Sequence, residues 1–178
     1  SQEIGTDGLG AILRYGTPAG MPNFGQSGIL TDEEITNLAA YLQLPPPDAP
    51  ELPMADIQAS WNLIKPVAER PTEPVTSRNW RNFTGVILRD AGEVSIIDGD
   101  TKEEVARLNT GFAVHILRSS ATGRYFYAIG RDGLVSLIDL WPQVPETVAT
   151  VKGCHDARSV DGSKAAGWED QFVIEGCY

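Results

Sequence analysis

Arg89-Asp-Ala-Gly-Glu-Val-Ser-Ile-Ile-Asp98 recurs as Arg131-Asp-Gly-Leu-Val-Ser-Leu-Ile-Asp139. Each copy opens on an Arg-Asp pair, turns at a glycine, runs through β-branched residues and closes on aspartate. Two further elements return with it. Glu104-Val-Ala106 comes back as Glu146-Thr-Val-Ala149, and His115-Ile-Leu-Arg118 as His155-Asp-Ala-Arg158, so the three offsets are 42, 42 and 40 residues. A period of about 40–45 residues built from four short strands is the signature of propeller blades. A sandwich of similar hairpins would not explain the shared placement of arginine and histidine.

Working outward from the repeat, residues 81–178 read as short strands. Phe83–Leu88, Glu93–Ile97, Val105–Leu108, Val114–Leu117, Tyr125–Ile129 and Val135–Ile138 are rich in β-branched and aromatic residues. Asp98-Gly99, Thr122-Gly123 and Asp132-Gly133 supply turns between them. This stretch holds about two blades, whereas closed propellers have at least about four. More blades are therefore expected after Tyr178, and more helices before Ser1.

Upstream the pattern changes. Residues 45–80 form a Pro-rich linker whose start is stiffened by Pro45, Pro46, Pro47, Pro50 and Pro53. Its apolar patch of Ile57, Trp61 and Ile64 is expected to pack on a neighbouring domain. Residues 1–44 read as a small helical piece. Thr31 through Glu34 is a capping box, and Ile35, Leu38, Ala39 and Leu42 follow at helical spacing. Before it, Tyr15 to Gly25 is a Gly/Pro-rich loop with Met21 in its middle.

Composition excludes some classes. The chain of 178 residues carries a formal net charge of −10, which argues against nucleic acid and permits a basic protein partner. No apolar run is long enough to cross a membrane. Ser1-Gln2-Glu3 lacks the basic start of a signal peptide, as a mature or truncated chain would. The two cysteines, Cys154 and Cys177, suit either a disulfide or two small buried residues. No Cys-x-x-Cys pair is present, so a covalent c-type haem attachment does not lie within these residues.

Both histidines stand in His-x-x-Arg. An imidazole can ligate iron, and guanidiniums bind carboxylates through two parallel hydrogen bonds. Arg89, Arg118, Arg131 and Arg158 recur at equivalent places, which suits a ring around one end of a propeller axis holding a polyanionic ligand. Equally, each arginine could simply pair with a neighbouring aspartate, as Arg89-Asp90 and Arg131-Asp132 suggest. Met21 also has two readings: an axial thioether ligand of a c-type haem, or a loop methionine covering a small core.

At this point a family resemblance becomes specific. Thr17-Pro-Ala-Gly-Met-Pro-Asn23, Ser60-Trp61, Arg70-Pro71-Thr72, Leu88-Arg-Asp-Ala-Gly92 and Ile97-Asp-Gly-Asp-Thr101 resemble the dissimilatory cytochrome cd1 nitrite reductases. So do Thr110-Gly111, Ala113-Val-His-Ile116, Gly123-Arg-Tyr125, Ile129-Gly-Arg-Asp132, Ile138-Asp-Leu-Trp141 and Ala157-Arg-Ser159. The resemblance implies a mainly β chain: the start of an eight-bladed β-propeller, the d1 domain, preceded by the α-helical C-terminal part of a cytochrome c domain. Residues 1–44 would be that cytochrome part, 45–80 the linker and 81–178 the first blades. The family reduces nitrite to nitric oxide at haem d1 with electrons delivered through haem c.

By the same resemblance His115 matches the ligand of the d1 iron and Met21 the methionine ligand of haem c. Arg89, Arg118, Arg131 and Arg158 match basic residues around the carboxylate-rich d1 macrocycle, and Tyr178 a tyrosine near it. The two distal histidines that protonate nitrite fall on later blades, outside this chain, so the fragment alone is expected to be inactive. A small electron-donor protein (a cytochrome c or a cupredoxin), a homodimer and a periplasmic location are implied as well. Phe24 stands where the family often has Trp, Leu117 where Ser is usual, and Cys154-His155 is unusual before Ala-Arg. These departures leave open a d1-binding dehydrogenase of haem d1 biosynthesis. A non-catalytic propeller interaction module is the third reading.

Overall fold

The computed structural model describes residues 3–48, 50–170 and 172–177. Two compact units divide the chain, residues 1–49 and residues 50–178.

In the first unit two helices pack through one small core. Helix α1 (Gly5–Tyr15) buries Leu9 and Leu13, and α2 (Asp32–Tyr41) buries Ile35 and Ala39 against them. The capping box forms as the sequence requires. Thr31 Oγ1 accepts from the Glu34 amide at 3.3 Å, and Glu34 Oε2 accepts from the Thr31 amide at 2.8 Å. Together they satisfy two amide donors that the helix start would otherwise leave free. The Met21 loop joins the helices and is closed on itself: Thr17 N donates to Met21 O at 3.1 Å, and Met21 N to Thr17 Oγ1 at 3.3 Å.

The second unit is mainly β, with antiparallel sheets. Helix α3 (Met54–Ala59) leads into β1 (Asn62–Leu63); then come β2 (Phe83–Leu88), β3 (Glu93–Asp98), β4 (Glu104–Asn109), β5 (Ile116–Ser119) and β6 (Tyr125–Ile129). After these follow β7 (Leu134–Asp139), β8 (Glu146–Lys152), β9 (Ala157–Gly162) and β10 (Phe172–Cys177). They form a three-stranded sheet β2-β3-β4, a five-stranded sheet β1-β8-β7-β6-β5 and a β9-β10 pair. The two copies of the repeat thus occupy equivalent strands, β3 and β7, in successive antiparallel sheets.

The five-stranded sheet is buried on both faces, which explains why β6 reads Tyr-Phe-Tyr-Ala-Ile with almost no polar position. Tyr125, Tyr127 and Ile129 pack with Val148, Cys154, Ala157 and Val160 on one side. Phe126 and Ala128 turn to the other side, joining Phe83, Val94, Ile96, Val114 and Ile138. Alternation along the strand feeds two cores at once.

The Pro-rich segment behaves differently from the expected packing of an apolar patch. Trp61 and Ile64 remain 48% and 52% exposed. Backbone pairing carries much of the attachment: β1 pairs with β8, Ile64 N and Lys65 N both donate to Val148 O, and Val75 N and Thr76 N donate to Trp141 O. An open sheet edge offers unpaired amides and carbonyls, and an extended chain satisfies them. Side chains add to the attachment, Lys65 pairing with Glu146 and Lys152 N donating to Ser60 Oγ. One sequence element also shifts. The strand expected at Val114 begins at Ile116, because Ala113 takes a left-handed φ of 48°.

Candidate functional site

The antiparallel registers Glu93↔Asn109, Ile116↔Ile129 and Leu134↔Lys152 bring four connections to one end of the strands. These are Arg89–Gly92, Thr110–His115, Gly130–Gly133 and Gly153–Asp156. Backbone hydrogen bonds knit them in sequence across the sheets. Thr110 N donates to Gly92 O at 2.9 Å, Arg131 N to Phe112 O at 2.8 Å, and Gly153 N to Gly133 O at 3.0 Å. Asp132 works inside this network: its carboxylate accepts from Phe112 N at 3.0 Å and Leu134 N at 3.3 Å. Gly133 has no freedom to be anything else, since its φ is 79° and an added Cβ would run into the Cys154 carbonyl.

Arg89 and Arg131 meet here. With Asp90, Phe112 and Ala113 they line a cavity of about 340 Å³. Arg131 and Arg158 are joined through Asp156, whose Oδ2 accepts from Arg131 at 3.2 Å and from Arg158 at 2.8 Å. Chiefly the Arg131 hydrogen bond holds the Asp156 carboxyl below the usual carboxylate range, so it stays ionised at neutral pH. Arg131 and Arg158 thus share the single carboxylate of Asp156. Arg89 also lies 3.3 Å from Asp90, an exposed neighbour pair of small energetic weight. Both sequence readings of the arginines are thus partly realised: a cluster forms, and aspartates sit within it. Arg131 pairs with Asp156, not with adjacent Asp132.

His115 follows this loop. Its amide donates to Ile129 O at 3.1 Å, placing it at the threshold of β5. Both ring nitrogens are buried, and neither has a hydrogen-bond partner among the described residues. A buried imidazole left unpaired is costly, because it forfeits water without replacement. A ligand or metal on the ring would remove that cost. His155 differs: its Nε2 lies 3.2 Å from Glu51 O.

Arg118 stands apart, exposed on β5, with its guanidinium 3.4 Å from its neighbour's carbonyl, Leu117 O. Tyr178 lies outside the described residues. Met21 belongs to the first unit, where its side chain is 43% exposed while its backbone is held by Thr17. Tyr41, Leu42, Leu44 and Pro45–Pro47 line an apolar cavity of about 870 Å³ in the same unit. Among the described residues no cluster of three or more His, Cys, Asp or Glu side chains could hold a metal ion, and no helix is long and apolar enough to cross a membrane.

Asp156, inside His155-Asp-Ala-Arg158, is a member of the cluster that the repeat alone does not single out. Its i, i+2 spacing from Arg158 is the available signal. Its second partner, Arg131, is visible only once the turns meet. The cysteine question closes as well: Cys154 and Cys177 form a disulfide, with a Cα–Cα distance of 5.8 Å.

Comparison with known proteins gives the site a context. The family model described as the cytochrome D1 heme domain matches residues 78–178. A nitrite reductase of Stutzerimonas stutzeri is 50% identical over 98% of this chain and 31% of its own length. A dihydro-heme d1 dehydrogenase of Pseudomonas aeruginosa is 32% identical over 88% of this chain and 31% of its own. The solved dihydro-heme d1 dehydrogenase NirN in complex with DHE aligns with a TM-score of 0.60 at 31% identity, covering 89% of this chain and 34% of that one. The chain therefore spans about a third of the length of the relatives it matches.

Proposed function

The chain belongs to the cytochrome D1 heme domain family, and on that premise we propose that it is part of a periplasmic dissimilatory nitrite reductase. Its whole protein would take nitrite, one electron and two protons to nitric oxide and water. The observation that carries this choice is the 50% identity to a nitrite reductase along 98% of the chain, through both units, against 32% to the dehydrogenase.

The residues present suit haem d1. His115 holds two buried ring nitrogens without a hydrogen-bond partner among the described residues, one of which would ligate the iron. Arg89, Arg131 and Arg158 would take the macrocycle's carboxylates by charge-assisted hydrogen bonds, and Asp156 keeps two of them together before the ligand arrives. Arg118 and Tyr178 are proposed as further contacts. When bound, haem d1 supplies the iron at which nitrite is reduced. The protein's part would be to hold that group and fix its orientation through these side chains.

Residues 1–44 are proposed as the C-terminal part of a cytochrome c domain, 45–80 as its connection, and 81–178 as the first blades of an eight-bladed propeller. Met21 would ligate the haem c iron; the closed backbone of its loop and its exposed thioether support that role. Electrons would come from a small cytochrome c or cupredoxin, and the whole protein would be a homodimer. The Cys154–Cys177 disulfide supports an oxidising compartment.

Likeness to NirN supports a second reading, a dehydrogenase acting on a d1 precursor. The complete protein separates the two: the reductase carries c and d1 absorption bands as isolated and turns over nitrite, whereas the dehydrogenase shows d1-type bands only after loading with precursor. Within the first reading, His115→Ala should lose d1 and all nitrite turnover while haem c stays bound. His155→Ala should keep d1 and alter activity modestly at most. Loss of d1 from the His155 variant with a normal spectrum in the His115 variant would put the ligand one repeat later.

A further inference from the structure

Phe112 is the misfit of its loop. Thr110, Ala113 and Val114 around it are buried, whereas the Phe112 side chain is 72% exposed. A single exposed aromatic is ordinary on a protein surface; Phe112 is set apart by the constraint on its backbone and by the cavity it lines. The constraint is strong. Phe112 N donates to Asp132 Oδ2, Phe112 O accepts from Arg131 N, and the residues on either side have φ values of 108° (Gly111) and 48° (Ala113). A non-glycine residue held in the left-handed region is strained, and such strain concentrates where a site is being shaped. The ring lines the same 340 Å³ cavity as Arg89 and Arg131 and stands three residues before His115.

We infer that Phe112 is a positioning residue for the bound group, an aromatic platform that packs against the flat apolar ring system of the ligand whose carboxylates Arg89 and Arg131 receive. The inference rests on the reading that the second unit binds haem d1. A planar polycarboxylate presents two chemistries, an anionic rim and an apolar face, and this cavity offers a matching partner for each: guanidiniums and a phenyl ring. Because the Arg131 amide is bonded to the Phe112 carbonyl, the two partners move as one piece. A surface fixed before binding loses little entropy when it is covered. The Phe112 ring gives no protection to the ligand-free fold, so its contribution should appear only in the complex.

The test uses the complete protein and three variants, Phe112→Ala, Phe112→Tyr and His115→Ala. Release of haem d1 to an excess of apomyoglobin is followed by its absorption, and melting of the d1-free forms is measured alongside. Phe112→Ala should release d1 roughly tenfold to a hundredfold faster than the parent, the loss expected when one aromatic contact is removed. It should also shift the d1 bands, and melt like the parent when d1-free. Phe112→Tyr should stay within about threefold of the parent, since it keeps the ring face. Parental release and bands in Phe112→Ala, with d1 lost from His115→Ala, would overturn the platform and leave the d1 reading intact. Lowered melting of d1-free Phe112→Ala would overturn it too, because the ring would then be covered by polypeptide. Undiminished d1 binding by His115→Ala would instead strike the underlying reading.

Discussion

At the scale of single residues, one carboxylate type does two jobs at the two ends of the repeat. Asp98 and Asp139 close the strands β3 and β7, each accepting from the amide two residues on, at 2.9 and 3.1 Å. Each also holds an arginine: Asp98 takes Arg78 at 2.8 Å, and Asp139 takes Arg124 through both oxygens. Arg124 in turn stacks 4.1 Å over the Trp141 ring and donates to Pro71 O, fastening the Pro-rich segment to the sheet. Asp139 is fully buried, so Asp139→Ala strands a guanidinium in the interior. The expected loss is about 3–5 kcal/mol, read from denaturant unfolding of the complete protein; a loss below about 1 kcal/mol would make the pair dispensable. Asp156, at the opposite end, ties arginines that remain partly open to solvent. Arg78 first, then the Asp100 amide, hold the Asp98 carboxyl below the usual carboxylate range, as Arg131 does for Asp156. A depressed folded pKa stabilises the fold above the unfolded value of about 4 and ceases to do so as pH falls through the lower folded value. Melting temperature should therefore drop on acidification below about pH 4, and Asp98→Asn should flatten that limb while lowering stability at pH 7. An unchanged acid limb in Asp98→Asn would remove Asp98 from the linkage.

At the scale of elements, the last turn and the last strand depend on each other. Cys154 sits in the β8–β9 connection beside Gly133, and Cys177 ends β10 opposite Ala157. Their disulfide closes a loop with a sequence separation of 23, so Cys154→Ala, or a dithiol reductant, should cost about 3 kcal/mol of stability. Because the same turn presents Asp156, d1 release should quicken in parallel. Equal melting of oxidised and reduced protein would show the bridge to be idle. The sequence could not decide this bridge, since two cysteines alone fit a pair or two buried thiols. Strands were far more legible. Phe83–Leu88 and Tyr125–Ile129 match β2 and β6 residue for residue, and the capping box set the start of α2. Burial on two faces writes itself into local composition, and so does a cap. The end of the strands where Arg131 meets Asp156 is written in contacts between turns 25 residues apart, which no local period records. His115 shows the boundary between the two kinds of information. Its neighbours read as strand, yet the left-handed Ala113 delays β5 to Ile116. His115 is therefore held by a turn rather than within a strand.

At the scale of the whole molecule, the sheets differ in how completely their edges are used. The middle sheet has four consecutive strands plus β1 along β8, while β2-β3-β4 has three and β9-β10 two. Since β3 and β7 carry the same repeat, β2 corresponds to β6, and the first sheet has no counterpart of β5 beside β2 among the described residues. Open edges invite pairing with other chains. A binding surface assembled from turns of successive sheets is also only as large as the number of sheets present. The chain supplies Arg89, His115, Arg131 and Arg158 from three consecutive sheets, and it spans 31% of the nitrite reductase it resembles. The 178-residue polypeptide expressed alone should therefore self-associate, melt without a sharp transition and fail to retain haem d1. A polypeptide of the relatives' full length carrying the same residues should be free of all three defects. Sedimentation, calorimetry and the d1 spectrum of the two polypeptides make the comparison. A monomeric 178-residue chain with a sharp transition and tightly held d1 would mean that these three sheets already complete the binding site, and that the remaining two thirds of the relatives' length serves the chemistry rather than the grip on the cofactor.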